Sequence, residues 1–301
     1  MFDTSARACN YSRKNAEENG LENYSVENPP ELSEIEGVFD KIVYAPADYE
    51  PVDLVKNRLA DAMRKLDEEG ELYIAGRKKS GLKRYRKYLN KYGEVKKLAR
   101  DGSTQAYSFR RSGHVTMSGP NLEKNFEAEV DGLKASFRTS KGLFSAGKLD
   151  GGTRLLLENL DVSDSEKVLD LACGYGAISV FLGKIYDCDL YLADDDVRAV
   201  KYARKNLKLN YIEDFEVKAA DCLDGFGDQK FDLVVSNPPT HQGSGVTDKM
   251  FRQVHDSLFE GGEFWLVYNQ NMGFEDQLSE MFDLVEVVDE GDNFLVVRTV
   301  K

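Results

Sequence analysis

Val168 to Gly183, VLDLACGYGAISVFLG, constrains this chain more than any other stretch. Val168, Leu169 and Leu171 have the apolar density of a buried strand end. Cys173-Gly174-Tyr175-Gly176 is a small-residue turn entered through Ala172, and the apolar spacing from Ala177 to Ile185 predicts a helix. Strand, glycine turn and helix in that order let backbone N–H groups and a helix N-terminus approach a ligand closely. Several nucleotide folds use such a turn. The dinucleotide version wants a small residue three places after the second glycine of G-x-G, and Ser179 stands there, which leaves NAD open without favouring it.

From Lys167 onward, strand and helix patterns alternate. Strands are predicted near 168–171, 189–193, 215–219, 231–236, 263–268, 284–288 and 293–299, and helices near 177–185, 196–209, 247–259 and 273–281. Such alternation implies an α/β fold, a doubly wound parallel sheet covered on both faces. No helix separates the last two strands, so they should pair antiparallel. Ligands on these sheets bind at the carboxyl ends of the strands.

The polar candidates fall at those ends. Asp194 closes LYLAD, where an acid suits ribose hydroxyls; Asp195 and Asp196 follow it and are alternatives, or N-caps of the next helix. Asp221 follows the third strand in KAAD, placed either to meet an adenine amino group or simply to make a turn. Asp170 lies inside the first strand, where a charge needs hydrogen bonds from the glycine turn or a cationic ligand. Ser236-Asn237-Pro238-Pro239-Thr240-His241 ends the fourth strand. Two prolines cannot continue a sheet, and they hold the backbone rigid. The Asn237 amide oxygen and the Asn237 and Pro238 carbonyls would then be fixed acceptors for an exocyclic amino group acting as nucleophile. The plainer alternative is a strand that prolines merely terminate.

The first half of the chain is less explicit. Residues 1–37 read as a polar, loose lead-in with room for one short helix. Residues 38–112 form a first domain, with strands at 42–44, 71–75 and 106–110 and helices at 52–66 and 82–91. At a constant offset of 192, Phe39-Asp40 matches Phe231-Asp232, Val43 matches Val235, Pro46 matches Pro238 and Gly70-Glu71 matches Gly262-Glu263. That register points to an internal duplication rather than chance alignment of two α/β units. Tyr44-Ala45-Pro46-Ala47 replaces the Ser-Asn-Pro-Pro of the second copy, so the first copy has lost its acceptors. Residues 113–150 lead into the second domain, 113–301, through a hairpin (126–130 and 133–137) turning at Asp131-Gly132. The glycine-rich loop Gly142 to Asp150 then opens an apolar helix that Thr153 is placed to cap.

Net charge is −13, yet it is unevenly spread. Residues 76–100 carry 11 basic side chains and one acidic, while residues 151–301 carry 14 basic and 29 acidic. One basic segment on an acidic body is either a phosphate footprint or a solvated helix face. Its candidates for RNA contact are Arg77, Lys78, Lys79, Lys83, Arg84, Arg86 and Lys87. Cys9, Cys173, Cys188 and Cys222 lack metal-ligand spacing, so reduced thiols and no metal site are expected. No apolar run reaches membrane-spanning length, which points to a cytoplasmic protein without a membrane partner.

VLDLACGYG, the strand-end Asp194 and SNPPTH together resemble the class I S-adenosylmethionine-dependent methyltransferases. FSAGKLDGGTRLLL narrows the resemblance to the small-methyltransferase group. Over residues 38–301 the chain is similar to the ribosomal small-subunit guanine-N2 methyltransferases of the C type, which act on 16S rRNA. The resemblance implies two tandem Rossmann-like methyltransferase domains. The N-terminal one would be degenerate, and the C-terminal one a seven-stranded sheet with an antiparallel last strand. It implies S-adenosylmethionine contacts at Asp170, Ala172, Gly174, Gly176, Asp194, Asp195, Asp221 and Asn237, and a catalytic Asn237-Pro238-Pro239. The partner would be rRNA or the small subunit, and the protein a monomer. One departure matters: many amino-methyltransferases carry an aromatic residue after N-P-P, and Thr240 stands there. That disfavours DNA adenine-N6 and protein glutamine as acceptors and leaves His241, Phe144 or Phe274 to stack on the base. His241 reads as a loop residue rather than a general base. A non-catalytic RNA-binding assembly factor is the reading of another class.

Overall fold

The computed structural model describes residues 1–113, 117–162, 167–239 and 244–301. It divides into two compact units, one of residues 1–30, 125–139 and 143–301, the other of residues 31–124 and 140–142. The expected boundaries shift accordingly. The lead-in over 1–37 is not loose: residues 1–30 belong to the large unit and contain α1 (Ala6–Glu18), which Ser5 caps by accepting from Ala8 N.

The small unit is a four-stranded sheet with two helices. In chain order it contains β1 (Phe39–Tyr44), α2 (Val52–Lys65), β2 (Leu66–Arg77), α3 (Leu82–Leu89), β3 (Gly93–Asp101) and β4 (Thr104–Arg111). The strand order is β1-β2-β4-β3. β3, rich in lysine and arginine, was hidden in the sequence by its charge. The core packs one face of α2 (Val55, Leu59, Met63) and of α3 (Leu82, Tyr85, Leu89) on Leu72, Ile74 and Phe109 of the sheet. β5 (Glu123–Val130) and β6 (Leu133–Ser140) form the expected hairpin, with Asp131 at φ 49° and Gly132 at φ 81°. Two left-handed residues match the turn twist to that of the strands.

The large unit continues through α4 (Gly151–Asn159), β7 (Lys167–Leu171), α5 (Ala177–Ile185), β8 (Asp189–Asp194), α6 (Val197–Leu209) and β9 (Phe215–Ala219). It closes with β10 (Phe231–Ser236), α7 (Ser244–Ser257), β11 (Leu258–Asn269), α8 (Glu275–Ser279), β12 (Leu284–Glu290) and β13 (Phe294–Val300). Its seven strands run β12-β13-β11-β10-β7-β8-β9, and β13 is antiparallel to both neighbours. The strands are apolar on both sides because both faces are covered. Val168, Leu233, Val235, Trp265 and Val267 enter one core, while Leu169, Val234, Phe264, Leu266 and Tyr268 enter the other.

The offset of 192 read from the sequence holds in three dimensions. β1, α2 and β2 start and stop 192 residues before β10, α7 and β11. The pairs Phe39↔Leu66, Lys41↔Glu71 and Ile42↔Leu72 map onto Phe231↔Leu258, Leu233↔Glu263 and Val234↔Phe264, with the register shift at the same step. Strand order β1-β2-β4-β3 repeats as β10-β11-β13-β12. A Cβ on Gly70 would lie 2.9 Å from Phe39 O, and one on Gly262 2.9 Å from Phe259 O, so both copies keep a glycine where backbone crowds it. The small unit therefore reproduces only the β10–β13 half of the large sheet. β1 is left at an edge, and Val43 is 75% exposed where its counterpart Val235 is 0% exposed.

Candidate active site at the carboxyl ends of the strands

β7 lies between β8 and β10, pairing Leu171 with Ala193 on one side and with Ser236 on the other. The glycine turn, Asp194 and Asn237 therefore leave the sheet side by side. Cys173 N donates to Ala193 O at 3.0 Å, and Ser236 Oγ donates to Leu171 O at 2.6 Å, fixing both exits.

In the turn, Ala172, Gly174 and Gly176 have φ of 60°, 56° and 82°. An alanine held in the left-handed region costs about 1 kcal/mol. Strain of this kind persists where the surrounding contacts require it. A Cβ on Gly176 would come within 3.1 Å of Ala203 Cα and Cβ, so this glycine lets α5 approach α6. A Cβ on Gly174 would meet no heavy atom within 4 Å. Its backbone therefore borders open space, the room a bound ligand needs.

Asp170 is fully buried. The sequence left its charge to the glycine turn or a ligand, but Ser179 on α5 supplies two donors to Oδ2, N at 3.2 Å and Oγ at 2.6 Å. Oδ1 has no partner among the described residues. Burial pushes the Asp170 carboxyl up to about 6 against the Ser179 bonds. The carboxylate of Asp194 accepts from Gly174 N and Asp196 N, each at 2.8 Å. Burial pushes it up to about 7 despite those bonds. Each Asp194 oxygen keeps a lone pair free for a hydroxyl donor.

Asp195, expected at the cofactor, has a structural task as well. Its Oδ2 accepts from Ser5 Oγ and its Oδ1 from Arg7 N, both at 2.7 Å, so it anchors the N-terminal segment. Asp196 is the N-cap of α6, accepting from Arg198 N. Asp221 is buried and bridged on both oxygens, by Arg7 Nε at 2.6 Å and Lys249 Nζ at 2.9 Å. Burial works to raise the Asp221 carboxyl, but the bonds from Lys249 and Arg7 outweigh it and hold it below the ordinary value.

Asn237 donates through Nδ2 to Asp150 Oδ2 at 3.0 Å and to Thr153 Oγ1 at 2.8 Å. The amide nitrogen is assigned to this end because it is the donor that the Asp150 carboxyl oxygen and the Thr153 hydroxyl oxygen accept from. The amide oxygen is consequently the end left for a partner. Asp150, rather than Thr153, caps α4, accepting from Thr153 N at 3.1 Å. Thr153 is free to orient Asn237. Pro238 is buried and Pro239 exposed; Thr240 and His241 lie outside the described residues. Phe144 is 60% exposed, on the loop that Tyr175 Oη pins by donating to Lys148 O at 3.1 Å. Phe274 sits in the core against Tyr268 and Phe251, which removes it as a stacking surface.

Asp150, Thr153, Ser179 and Arg7 were missed as site residues. Asp150-Gly-Gly-Thr153 carries the N-cap spacing, which signals Asp150 in hindsight. No local signal links Arg7 to a carboxylate 214 residues away.

In the small unit, Arg77, Lys78, Lys79, Lys83, Arg84, Arg86 and Lys87 are all exposed. Lys83, Arg84 and Lys87 lie on the side of α3 away from Leu82, Tyr85 and Leu89, while Arg86 flanks those residues with its guanidinium 5.7 Å from the centre of the Tyr107 ring. Lys79 pairs with Asp48 at 2.9 Å.

The methyltransferase small domain family matches residues 1–107 and 134–298. The ribosomal RNA small subunit methyltransferase C of Pseudomonas paraeruginosa is 30% identical over 85% of this chain and 77% of its own length. That of Stutzerimonas stutzeri is 28% identical over 88% and 80%. The ribosomal RNA large subunit methyltransferase G of Psychromonas ingrahamii is 31% identical over 60% of this chain, which spans 50% of that relative's length. A solved structure of the T. thermophilus 16S rRNA N2 methyltransferase RsmC, in complex with AdoMet and guanosine, has a TM-score of 0.88 and 27% identity, covering 100% of this chain and 81% of that one. The space over Gly174 and the strand-end Asp194 suit the methionyl and ribose groups of S-adenosylmethionine. The chain belongs to the methyltransferase small domain family of class I enzymes that use S-adenosylmethionine.

Proposed function

We propose that this protein methylates the exocyclic N2 of a guanine in small-subunit rRNA, with Asn237, Pro238 and Pro239 as its catalytic residues. The observation that carries the reading is the orientation of Asn237: its nitrogen is turned onto Asp150 and Thr153, and its oxygen is left as an acceptor. An arylamine is a poor nucleophile because its lone pair is delocalised into the ring. Accepting both N–H bonds, at Asn237 Oδ1 and the Pro238 carbonyl, favours the pyramidal form whose lone pair can attack. S-adenosylmethionine supplies an electrophilic methyl on a sulfonium centre. The chain's task is then mainly to place the amino group in line, which a rigid Asn-Pro-Pro segment does.

Asp170, Ala172, Gly174, Gly176, Asp194 and Asp221 are the residues we assign to the cofactor, and Asn237 borders it. Asp195, next to Asp194 on the same strand end, stays in that set, with its carboxylate also holding Ser5 and Arg7. Phe144, exposed on the loop before α4, is the stacking candidate the described residues leave. The exposed cations Arg77, Lys78, Lys79, Lys83, Arg84, Arg86 and Lys87 would hold the RNA backbone. The target guanine must be single-stranded or flipped to reach Asn237.

The choice of small-subunit RNA rests on relatives that this chain spans over most of their length. A second reading, large-subunit RNA, is favoured by the methyltransferase G relatives, of which it spans about half. Transfer of labelled methyl to unmodified rRNA of either subunit, naked and assembled, followed by nucleoside analysis, separates them. N2-methylguanosine in small-subunit RNA is expected. N6-methyladenosine overturns the acceptor, label only in large-subunit RNA overturns the substrate, and no transfer to any RNA overturns the reading. Asn237→Ala is expected to lower kcat by about 10²–10³ while leaving cofactor affinity nearly unchanged, the size of losing one oriented polar group at a reacting centre.

A further inference from the structure

The N-terminal segment reaches the cofactor side of the large unit through a dense set of contacts. Ala6 N donates to Asp195 O at 2.8 Å, and Val197 N donates to Thr4 O at 3.0 Å. Ser5 Oγ and Arg7 N hold the Asp195 carboxylate. Phe2 bridges Glu27, so the segment is tied back on itself through residues 1–30. All these contacts place one side chain, Arg7, against Asp221. Arg7 Nε donates to Asp221 Oδ1 at 2.6 Å, and Nη2 lies 3.9 Å from Cys222 Sγ. The guanidinium side chain is 20% exposed and the Asp221 side chain 10%.

An ion pair this enclosed, with Lys249 on the other oxygen, fixes the carboxylate in orientation and charge. Arg7 Nε and Cys222 Sγ both donate to Oδ1 and Lys249 Nζ donates to Oδ2, so of about four lone-pair positions on Asp221 the one left to offer lies on Oδ2. A ring amino group donates to such an acceptor; a ring carbonyl in the same place meets its lone pairs and is repelled.

We propose that Arg7 is a positioning residue of the cofactor site. It holds Asp221 as the acceptor that selects the 6-amino group of adenine over a 6-oxo group. The inference rests on Asp221 facing the adenine, and it is independent of which RNA is methylated.

The test is binding, measured by calorimetry on the full chain with two ligands: S-adenosylhomocysteine and S-inosylhomocysteine, its 6-oxo analogue. The wild type is expected to prefer the adenosyl form at least about tenfold, the worth of one hydrogen bond to a charged group. In Arg7→Ala that preference falls to about threefold or less, through loss of adenosyl affinity, and Arg7→Lys restores part of it. If Arg7→Ala weakens both ligands equally, Arg7 only supports the fold and the proposal is overturned. It is equally overturned if Arg7→Ala leaves the ratio intact while Asp221→Ala abolishes it; the reading of Asp221 then survives. If Asp221→Ala itself leaves the ratio unchanged, Asp221 does not face the adenine and both fall. Should Arg7→Ala not fold, Arg7→Gln keeps the length and removes the charge, and the same ratio decides.

Discussion

Asn237 has one useful amide orientation, and two neighbours enforce it. Asp150 and Thr153 both accept from Nδ2, so the oxygen is presented without any search of rotamers. Asp150→Ala removes one of these acceptors and the cap of α4. The expected result is a kcat loss of about tenfold to a hundredfold with little change in cofactor affinity, plus about 1 kcal/mol of stability from the cap. Thr153→Val isolates the first effect, since Asp150 still caps the helix; kinetics and thermal melts of the two variants separate the roles. The buried acids make a pH prediction. Asp170 and Asp194 are held up to about 6 and about 7, above their ordinary value of 3.8. An acid with a raised folded pKa keeps its proton in the native state while the unfolded chain has lost it. Stability of the free protein therefore falls as pH rises from the carboxylate range through about 7. A ligand that donates to these groups favours their ionised forms and recovers the loss. S-adenosylhomocysteine should bind more weakly at pH 5.5 than at pH 8, with proton release on binding near pH 6.5. Calorimetry in buffers of different ionisation heat reads both, and an affinity flat with pH would remove these carboxylates from the contact set.

The elements differ in how plainly the sequence announced them. β7 to β10 and α5 are contiguous apolar runs punctuated by glycine and proline, and their predicted spans agree with the structure to within a residue. β3 was missed because Gly93 to Asp101 is an exposed, charged strand with no apolar alternation to read. α1 is the short helix for which the polar lead-in had room, but its side chains do not mark its place; the Ser5 cap and contacts with Asp195, remote in sequence, hold it. The seam between the hairpin and α6 had no signature either. Asn206 accepts from Arg138 N and donates to Arg138 O and Tyr175 O, and Asn210 does the same with Ser136 N and O one helical turn on. Two asparagines on a helix thus act as a partner for one edge of β6, and the first also braces the glycine turn. Asn206→Ala strands three backbone groups around a side chain with 0% exposure. It should cost about 3 kcal/mol, whereas Lys208→Ala on the exposed face should stay within about 0.5 kcal/mol. Denaturant unfolding measures both, and an Asn206→Ala as mild as Lys208→Ala would show that the seam carries little.

At the scale of the whole molecule, the duplication gives the chain a partial copy of the sheet as well as a complete one. The small unit repeats β10 to β13 with their register shift, yet the described residues hold no counterpart of β7, β8 or the glycine turn. Ala45 replaces Asn237, and Val43 faces solvent where Val235 is sealed in the core. A copy with half a sheet cannot enclose a cofactor; what distinguishes it is charge. The sequence located that charge in 76–100, and the structure shows how it is displayed: on α3 the apolar positions Leu82, Tyr85 and Leu89 are buried, leaving Lys83, Arg84, Arg86 and Lys87 exposed. An amphipathic helix needs a polar face, but it does not need four exposed cations and no acids. Repulsion within such a face is unfavourable unless polyanion binding relieves it. Replacing all four with alanine should weaken RNA binding and reduce the slope of log K against log salt by about 3, from about 0.7 per phosphate contact on single strands. Affinity for S-adenosylhomocysteine should not change. If instead affinity and salt slope both match the wild type, this face is only solvated, and the contact with RNA must be sought elsewhere on the chain.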